Sequence, residues 1–597
     1  MARLCACLAP DADRARAHLA AMGATPGATR DTVAGAAPPG PTGSGGAAGA
    51  GLVWDEPGHA TGPFVADGVT GVGEVTVHNR GELLAALATV GAAPPPGCAD
   101  GELLLRCWAR LGERGVALAE GMFALAVLDG TDLLLIRDHV GARTLFYARA
   151  QGCWAASSSL RALRRWPALG TGVNLAAVRS FLTFAYLPGD ETLLRGVREV
   201  LPGRVVRLTA GGEVVERVYW EPRERLADPV SDDPSGPVLA LRAALEEATA
   251  CRLPEGAAVG VLLSGGIDSS LVTALASKLH THPVHTYSIS FGDGLPHELG
   301  YSSLVAAHCH TRHRVLTVSG ASVAARLADA AALLDSPVGD PLTVPNLMLA
   351  EAVAGDGLRV ALNGEGGDPV FGGPKNLPML VHEMHRDPSG AGEDRATAYL
   401  RSYRKCWSDL PELLTPEALR ALADAPAPQR FVEPYLSGPE RMEYLLNQLL
   451  HCNLRTKGAH HILTKVERLT ASQGVQGRSP LFDRRVVDHA FATPPGLKLR
   501  GTVEKWVLKE AVRDLLPATV VDRPKSGMRV PVQQWLSGPL RELGGDLLLG
   551  RAARQRGLFR PETVRTWMHG EGTLLPRQGS KLWLVLTLEL WLRSYAL

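Results

Sequence analysis

The sequence has no excess of charge of either sign and no long uncharged apolar run. Its 597 residues carry 62 Lys and Arg against 61 Asp and Glu, which gives a net charge of +1. Proteins that bind nucleic acid or an anionic membrane surface through phosphates need a basic surface, so this composition predicts neither partner. No apolar segment approaches the roughly 20 residues of a membrane helix. Charged residues near the N-terminus leave no signal-peptide core. The sequence therefore predicts a cytoplasmic protein.

The sequence also lacks a set of paired cysteines. Its nine cysteines are scattered, and only Cys5 and Cys7 lie close together, with no second pair to complete a zinc-binding spacing. This pattern is typical of reduced thiols rather than of a disulfide framework. Neither a zinc site nor a disulfide scaffold is predicted.

A charged segment containing proline divides the chain, which is too long for a single core. We predict a first domain over residues 1–220, a linker over 221–237 and a second domain over 238–597. In the first domain, the glycine-, alanine- and proline-rich stretch 32–51 is predicted to be a flexible excursion rather than a strand or helix. The regular elements predicted around it are strands at 74–77, 123–128 and 133–136, helices at 101–111 and 174–184, and a hairpin over 205–220.

The second domain opens with an apolar run, a turn of small residues and a helical pattern, at 257–263 and 270–279. Strand, turn and helix in this order are the first unit of a parallel α/β sheet. Further strands are predicted at 284–290, 314–318 and 358–362, and the rest of the chain has a mostly helical pattern. An α/β fold is therefore predicted for this half.

The turn between the first strand and helix carries the residues Leu263, Ser264, Gly265, Gly266, Ile267, Asp268, Ser269 and Ser270. Glycines allow close approach of the backbone to a ligand, and the start of a helix directs unpaired N–H groups at an anion. Asp268 would repel a phosphate directly, so its presence indicates a bridging cation such as Mg²⁺. The alternative is a Gly-Ser turn that only caps a helix.

This turn resembles the pyrophosphate-binding loop of the ATP pyrophosphatases, and a second motif resembles the asparagine synthetase family within that group. The second motif runs from Asn363 through Gly364, Glu365, Gly366 and Gly367 to Asp368. The resemblance implies ATP and Mg²⁺ as cofactors, cleavage to AMP and pyrophosphate, and an acyl-adenylate intermediate. It makes Glu365 the general base on the attacking amine, and Asp268 and Asp368 the metal ligands.

Three further segments resemble motifs of the same family. They contain the substrate-pocket candidates Asp335, Asp340, Lys465, Arg468 and Arg478. The segment from Arg523 to Met528 contains Lys525, which the resemblance places on the pyrophosphate and gives a catalytic role. The nucleotide-binding set implied in this way is Leu263, Ser264, Gly265, Gly266, Asp268, Ser269, Ser270, Gly364 and Lys525.

The first half resembles the glutaminase domain of the family, which implies an Ntn-hydrolase-like αββα sandwich. The C-terminal half is implied to be a Rossmann-like ATP-pyrophosphatase domain, of the adenine nucleotide α-hydrolase type, with a helical C-terminal part. Glutaminase chemistry needs a cysteine directly after the initiator methionine, and this sequence has Ala2 there. The segment 73–83, which corresponds to the glutamine-gripping segment, is also altered. We therefore predict a degenerate glutaminase domain.

The substrates stay open at this point. The expected partners are small-molecule or peptide carboxylates and amines, and a homodimer is the candidate assembly. One alternative is intramolecular closure in natural-product biosynthesis, as in β-lactam synthetases and lasso-peptide cyclases. Retention of Glu365, where β-lactam enzymes carry tyrosine, favours an external amine or ammonia. Gln476 and Ser479 depart from the family pattern beside the acyl substrate. Sulfur transfer to tRNA and a catalytically silent binding homologue are the alternatives of other classes.

Overall fold

The computed structural model describes residues 3–9, 12–23, 31–36, 49–55, 64–225, 233–292, 298–373, 376–385, 394–403, 405–524, 528–569 and 578–597. The chain forms two compact units, of which the first contains Met1–Asn174, Gly189–Glu221 and Leu597. The second contains Leu175–Pro188 and Pro222–Ala596. The short segment Leu175–Pro188 therefore packs with the second unit although it precedes the last strands of the first in the chain.

The first unit contains two six-stranded sheets. In spatial order, the strands of one sheet are Val197–Glu199, Phe146–Ala150, Cys153–Ser157, Arg3–Ala9, Gly49–Asp55 and Asp31–Ala36. Those of the other are Val214–Val218, Arg204–Leu208, Asp132–Arg137, Gly121–Asp129, Val69–Val77 and Phe64–Ala66. Neighbouring strands in both sheets are antiparallel.

Apolar side chains join the two sheets face to face, and helices cover the outer faces. Leu4, Ala6 and Leu8 of one sheet share a buried cluster with Ala124 and Leu133 of the other. The helix Asp100–Leu111 packs on the second sheet because its Leu103, Leu104 and Cys107, at helical spacing, are fully buried there. The other helices are Ala12–Gly23, Arg80–Thr89, Glu113–Leu118 and Leu160–Arg164. This arrangement confirms the predicted αββα sandwich.

One prediction for the first unit is wrong. The glycine-rich stretch 32–51 was predicted to be a flexible excursion, but the strand Asp31–Ala36 ends in it and the strand Gly49–Asp55 begins in it, and the two strands pair with each other. The second of them also pairs with Arg3–Ala9. Backbone hydrogen bonding to a neighbouring strand stabilises a segment whose own side chains show no strand periodicity. Residues 37–48 lie outside the described part of the chain.

The second unit is built on a five-stranded sheet in which neighbouring strands are parallel. Its strands, in spatial order, are Arg312–Thr317, Val284–Ser290, Val259–Leu262, Val360–Asn363 and Gln476–Arg478. The first strand along the chain, Val259–Leu262, therefore lies in the middle, and the order reverses beside it. In doubly wound sheets, ligands bind at the carboxyl ends of the strands at such a switch point.

Helices make up the rest of the second unit, and one long helical stretch contains a π-helix. The helices before it are Leu175–Phe184, Ser235–Ala250, Ile267–Leu279, Leu299–His308, Gly320–Leu333, Thr343–Gly355, Gly367–Phe371, Leu377–Met384, Arg395–Tyr403, Leu410–Leu413, Pro416–Ala421, Glu433–Leu436 and Leu445–Asn453. The π-helix Leu454–Leu463 follows. After it come Thr464–Ala471, Arg484–Ala492, Pro495–Lys498, Trp506–Ala511, Ala518–Val521, Val532–Ser537, Arg541–Leu548, Arg551–Arg556, Pro561–His569 and Gln578–Ser594. The α/β fold with a helical C-terminal part is confirmed.

Two general features of the chain bear on its class. Within the described residues, no helix combines the length and apolar character needed to span a membrane. All nine cysteines lie in described segments, and none of them forms a disulfide.

Candidate active site

The turn after the central strand of the second unit is held by its own serine hydroxyls. The Ser264 N–H donates to Ser269 Oγ at 3.1 Å, and the two hydroxyl oxygens lie 3.0 Å apart. Gly265 has a φ of +81°, and a Cβ there would lie 2.7 Å from the nitrogen of Ser302, so glycine is required. The helix Ile267–Leu279 begins directly after Gly266. Its N-terminal N–H groups therefore face the turn, as in an anion site.

The loop after the neighbouring strand Val360–Asn363 packs against this turn through glycines. A Cβ on Gly364 would lie 2.4 Å from the nitrogen of Ser269, and one on Gly367 would lie 2.2 Å from Asp268 Oδ1. Asn363 Oδ1 accepts hydrogen bonds from the Glu365 N–H at 3.1 Å and from Ser479 Oγ at 2.9 Å. The close approach of the two loops brings Asp268, Glu365 and Asp368 into one site.

Lys505 joins the two aspartates that the sequence analysis assigned to the metal. Its Nζ lies 2.9 Å and 2.7 Å from the two carboxylate oxygens of Asp268, and 2.6 Å from Asp368 Oδ1. The lysine is buried, directly precedes the helix Trp506–Ala511, and has a φ of +54°. None of the recognised motifs contains Lys505, and its partners lie 237 and 137 residues away in sequence. The sequence analysis therefore missed it.

The donor set at this point fits Mg²⁺. Asp268 and Asp368 converge on one cationic atom, the Nζ of Lys505, so a cation is favoured between or beside them. Mg²⁺ prefers carboxylate oxygens and usually takes only one or two of them from the protein, with phosphates and water completing its shell. Among the described residues no group of three or more His, Cys, Asp or Glu side chains forms a protein-only metal site. The pair of aspartates therefore fits a metal shared with a nucleotide.

A cavity beside the turn is lined by cationic side chains. Lys505, Lys509 and Arg523 line it, together with one acidic residue, Glu504, and the start of the helix at Gly266 and Ile267. Arg523 also donates to the carbonyl of Gly265 at 3.2 Å, and Lys509 donates to the carbonyl of Arg523 at 3.3 Å. Three cations and a helix N-terminus favour a strongly anionic ligand. The predicted pyrophosphate ligand Lys525 directly follows Pro524 and lies outside the described residues.

A buried acid–base cluster lies next to Glu365. Lys465 Nζ lies 2.5 Å from Asp340 Oδ2, and His461 Nε2 lies 3.5 Å from the same oxygen. Burial alone would raise the pKa of Asp340, but Lys465 and His461 hold it well below its usual value. Burial alone would lower the pKa of Lys465, but the carboxylates of Asp340 and Glu365 outweigh it and raise that pKa. Lys465 is therefore an ammonium that pairs with Asp340 and lies within electrostatic reach of Glu365.

The remaining pocket candidates form other contacts. Asp335 and Arg468 are both buried and form an ion pair of 2.7 Å. Arg478 donates to the Gln476 side chain at 2.7 Å and to the carbonyl of Arg252 at 2.6 Å. The structure thus places Asp340 and Lys465 beside Glu365, whereas Asp335 and Arg468 form a separate pair. Ser479, which departs from the family pattern, supports the Glu365 loop through Asn363.

In the first unit, a carboxylate lies at the start of the strand Arg3–Ala9. The Leu4 N–H donates to Ser158 Oγ at 3.1 Å, and that hydroxyl donates to Glu74 Oε1 at 3.3 Å. Arg143 Nε lies 3.5 Å from the other oxygen of Glu74. Glu74 belongs to the segment that corresponds to the glutamine-gripping segment of the family. An ion pair between Glu74 and Arg143 therefore lies near the N-terminal end of this strand, and Ala2 itself lies outside the described residues.

The asparagine synthase family model matches residues 240–593, which is more than half of the chain. The chain belongs to this family. The family model of the glutamine amidotransferase domain matches residues 67–220. These matches confirm the predicted family and identify the chain as an enzyme of the C–N bond-forming ligase type, with ATP-dependent amide formation as its general chemistry. Enzymes of this family act on small-molecule substrates.

The sequences of three relatives align with most of this chain. A putative glutamine-hydrolysing asparagine synthetase of Mycobacterium tuberculosis is 29% identical over 78% of this chain and 76% of its own length. Asparagine synthetase 1 of Bacillus subtilis is 24% identical over 82% of this chain and 80% of its own length. Carboxyethyl-arginine beta-lactam-synthase of Streptomyces clavuligerus is 32% identical over 76% of this chain and 72% of its own length.

Proposed function

We propose that this chain adenylates a carboxylate with Mg-ATP, releases pyrophosphate, and transfers the acyl group to ammonia or an amine without hydrolysing glutamine itself. The observation that carries the proposal is the convergence of Asp268, Asp368 and Lys505 beside the Ser264 turn. That site combines a cation-binding carboxylate pair with a cavity in which three basic side chains, Lys505, Lys509 and Arg523, outnumber the single acidic residue Glu504. The combination suits the binding of ATP and the release of pyrophosphate from it.

In the first step, an oxygen of the substrate carboxylate attacks the α-phosphorus of ATP. The bond between that phosphorus and the oxygen bridging to the β-phosphorus breaks, and pyrophosphate leaves with the electron pair. Backbone N–H groups after Gly266 and the ammonium groups of Lys505 and Lys509 stabilise the charge that gathers on the leaving group. Asp268 and Asp368 would hold Mg²⁺, which supplies further charge neutralisation when bound.

In the second step, the amine nitrogen attacks the carbonyl carbon of the acyl-adenylate, and AMP leaves. An amine becomes acidic as it attacks, and Glu365 accepts the proton that it loses. The charge of Glu365 also helps to raise the pKa of Lys465, so this lysine stays an ammonium within electrostatic reach of Glu365. The products of this step are the amide and AMP, and the proton lost by the amine is carried away by Glu365.

Replacement of Glu365 by glutamine is expected to separate the two steps. Amide formation should fall by about 100- to 10,000-fold, because glutamine accepts no proton. ATP–pyrophosphate exchange should stay within a few-fold of the unchanged protein, since the nucleotide site keeps its charges. Glu351→Gln is the matched control, because Glu351 is a partly exposed carboxylate paired with Arg326. Equal loss of exchange and amide formation in Glu365→Gln would contradict the assignment of Glu365 as the base.

The first unit is proposed to lack glutaminase activity. Ala2 supplies no thiol to attack the glutamine amide. We expect ammonium salts to support amide formation and glutamine to give no glutamate above the uncatalysed background. The ammonia-driven reaction in the same preparation is the control for active protein. Glutamate release that depends on the enzyme and saturates with glutamine would contradict this proposal.

Intramolecular closure is a second candidate, favoured by the 32% identity to the beta-lactam-synthase of Streptomyces clavuligerus. Such a reaction consumes one substrate that carries both the carboxylate and the amine. Mass spectrometry separates the two candidates. A product lighter than its acid by one water, formed without ammonia or added amine, would favour closure, whereas dependence on an external amine would favour the first proposal.

A further inference from the structure

Ala185, in the segment that leads to Pro188, contacts Gly339, which directly precedes Asp340. Ala185 has a φ of +70°, which is uncommon for a residue other than glycine. Its carbonyl accepts a hydrogen bond from the Gly339 N–H at 2.8 Å. A Cβ on Gly339 would lie 2.0 Å from Leu584 Cδ2, so this contact leaves no room for a larger residue. Non-glycine residues with this backbone conformation persist where surrounding contacts hold them, and they cluster at functional sites.

The next residue, Tyr186, is buried and stacks on His461. Their rings are 5.5 Å apart at an interplanar angle of 11°. The Tyr186 hydroxyl donates to Thr456 Oγ1 at 3.1 Å. Thr456 and His461 both belong to the π-helix Leu454–Leu463. π-Helical turns are rare and occur frequently at functional sites, because they displace the side chains that follow them.

His461 connects this stack to the cluster at Glu365. Its Nε2 lies 3.5 Å from Asp340 Oδ2, the oxygen that also contacts Lys465. Burial lowers the pKa of His461 to about 4, although Asp340 opposes the shift. The ring is therefore neutral at ordinary pH, and it acts on Asp340 through its position rather than through a positive charge.

We propose that Tyr186 and His461 are positioning residues for the amide-forming step. They hold Asp340 in place, and Asp340 in turn holds the Lys465 ammonium against Glu365. The inference rests on the proposed function, because it concerns the second of the two proposed steps. Neither ring touches the Ser264 turn in the contacts that the structure gives for them, so the adenylation step should not depend on them.

Tyr399 offers a matched control, because it belongs with Tyr186 to one buried hydrophobic cluster. Like Tyr186, it is almost fully buried in that cluster, and its hydroxyl donates to an oxygen at 3.1 Å, in this case Asn453 Oδ1. Loss of Tyr399 should therefore cost a similar amount of packing without moving His461. A purely structural role for Tyr186 predicts the same behaviour for both tyrosines, whereas a positioning role predicts a difference.

The experiment compares Tyr186→Leu, Tyr186→Phe and Tyr399→Leu with the unchanged protein. Exchange and amide formation are measured with the acid and amine that the unchanged protein accepts. We expect Tyr186→Leu to slow amide formation by about 10- to 100-fold, because small displacements of reacting groups have effects of this size. Exchange should stay within about threefold. Tyr186→Phe keeps the stacked ring and should restore most of the amide-forming rate, and Tyr399→Leu should leave the ratio of the two rates unchanged.

Equal losses of both activities in Tyr186→Leu, or the same rate ratio in Tyr399→Leu, would overturn the positioning role. If Tyr186→Leu does not fold, His461→Gln tests the same contact, with the same split expected and an unchanged ratio contradicting it. The absence of exchange in the unchanged protein would instead contradict the proposed function. The two failures are therefore distinguishable.

Discussion

Replacement of Asp268 by asparagine is expected to lower ATP–pyrophosphate exchange by about 100- to 1,000-fold, the size of effect seen when one preorganised electrostatic group is lost. Asparagine has nearly the same shape, so the close contact with Gly367 is kept and no cavity forms. What changes is charge. Both oxygens of Asp268 contact Lys505, and the predicted Mg²⁺ needs the anionic oxygens that an amide cannot supply.

Asp356→Asn is a suitable control for this variant. Like Asp268, Asp356 pairs with a basic side chain, in this case Arg314, and it accepts a hydrogen bond from the Tyr287 hydroxyl at 2.7 Å. It is not part of the Ser264 turn or the Glu365 loop. Exchange by Asp356→Asn should match that of the unchanged protein. If Asp268→Asn kept exchange within about threefold of the unchanged protein, the nucleotide site would have to be elsewhere.

Replacement of Lys505 by methionine is expected to have a comparable effect on exchange, about 100- to 1,000-fold. Methionine fills much of the volume of the lysine stem but carries no charge for the leaving pyrophosphate. Its loss also frees Asp268 and Asp368 from an ion pair, so these carboxylates should bind a divalent cation more tightly. Calorimetry with Mn²⁺ or Mg²⁺ alone would therefore show tighter binding in Lys505→Met even as exchange falls.

Lys278→Met and Lys525→Met complete this comparison. Lys278 is a partly exposed lysine paired with Glu246, and its loss should change neither metal binding nor exchange. Lys525 is the lysine that the family resemblance assigns to pyrophosphate. A much larger loss of exchange in Lys525→Met than in Lys505→Met would contradict the role given to Lys505, as would unchanged metal affinity in Lys505→Met.

Local sequence signals were sufficient for the turn and for most strands. The central strand, the Ser264 turn and the helix Ile267–Leu279 are consecutive in the chain, so their pattern predicted a nucleotide-binding unit without knowledge of distant contacts. The strand before the Glu365 loop was predicted from its apolar run, whereas the role of the loop itself was implied by its resemblance to the family motif. Short apolar runs bounded by glycine carry enough information for these elements.

Long-range contacts and unusual backbone explain what the sequence did not reveal. Lys505 meets Asp268 across 237 residues, and no local pattern distinguishes it from a surface lysine. Tyr186 precedes the last strands of the first unit but packs in the second. A π-helix has no signature in a search for the 3.6-residue period of an α-helix. The strands Asp31–Ala36 and Gly49–Asp55 depend on pairing with each other, which composition alone does not show.

The central claim is that the Ser264 turn and Lys505 bind the pyrophosphate portion of ATP. A crystal structure with Mg²⁺ and α,β-methylene ATP, which cannot be cleaved between its α- and β-phosphates, tests it most directly. We expect β- and γ-phosphate oxygens within hydrogen-bonding distance of the backbone N–H groups after Gly266 and of Lys505 Nζ, with the metal on Asp268 and Asp368. Nucleotide bound elsewhere, or bound with its phosphates directed away from this turn, would contradict the account.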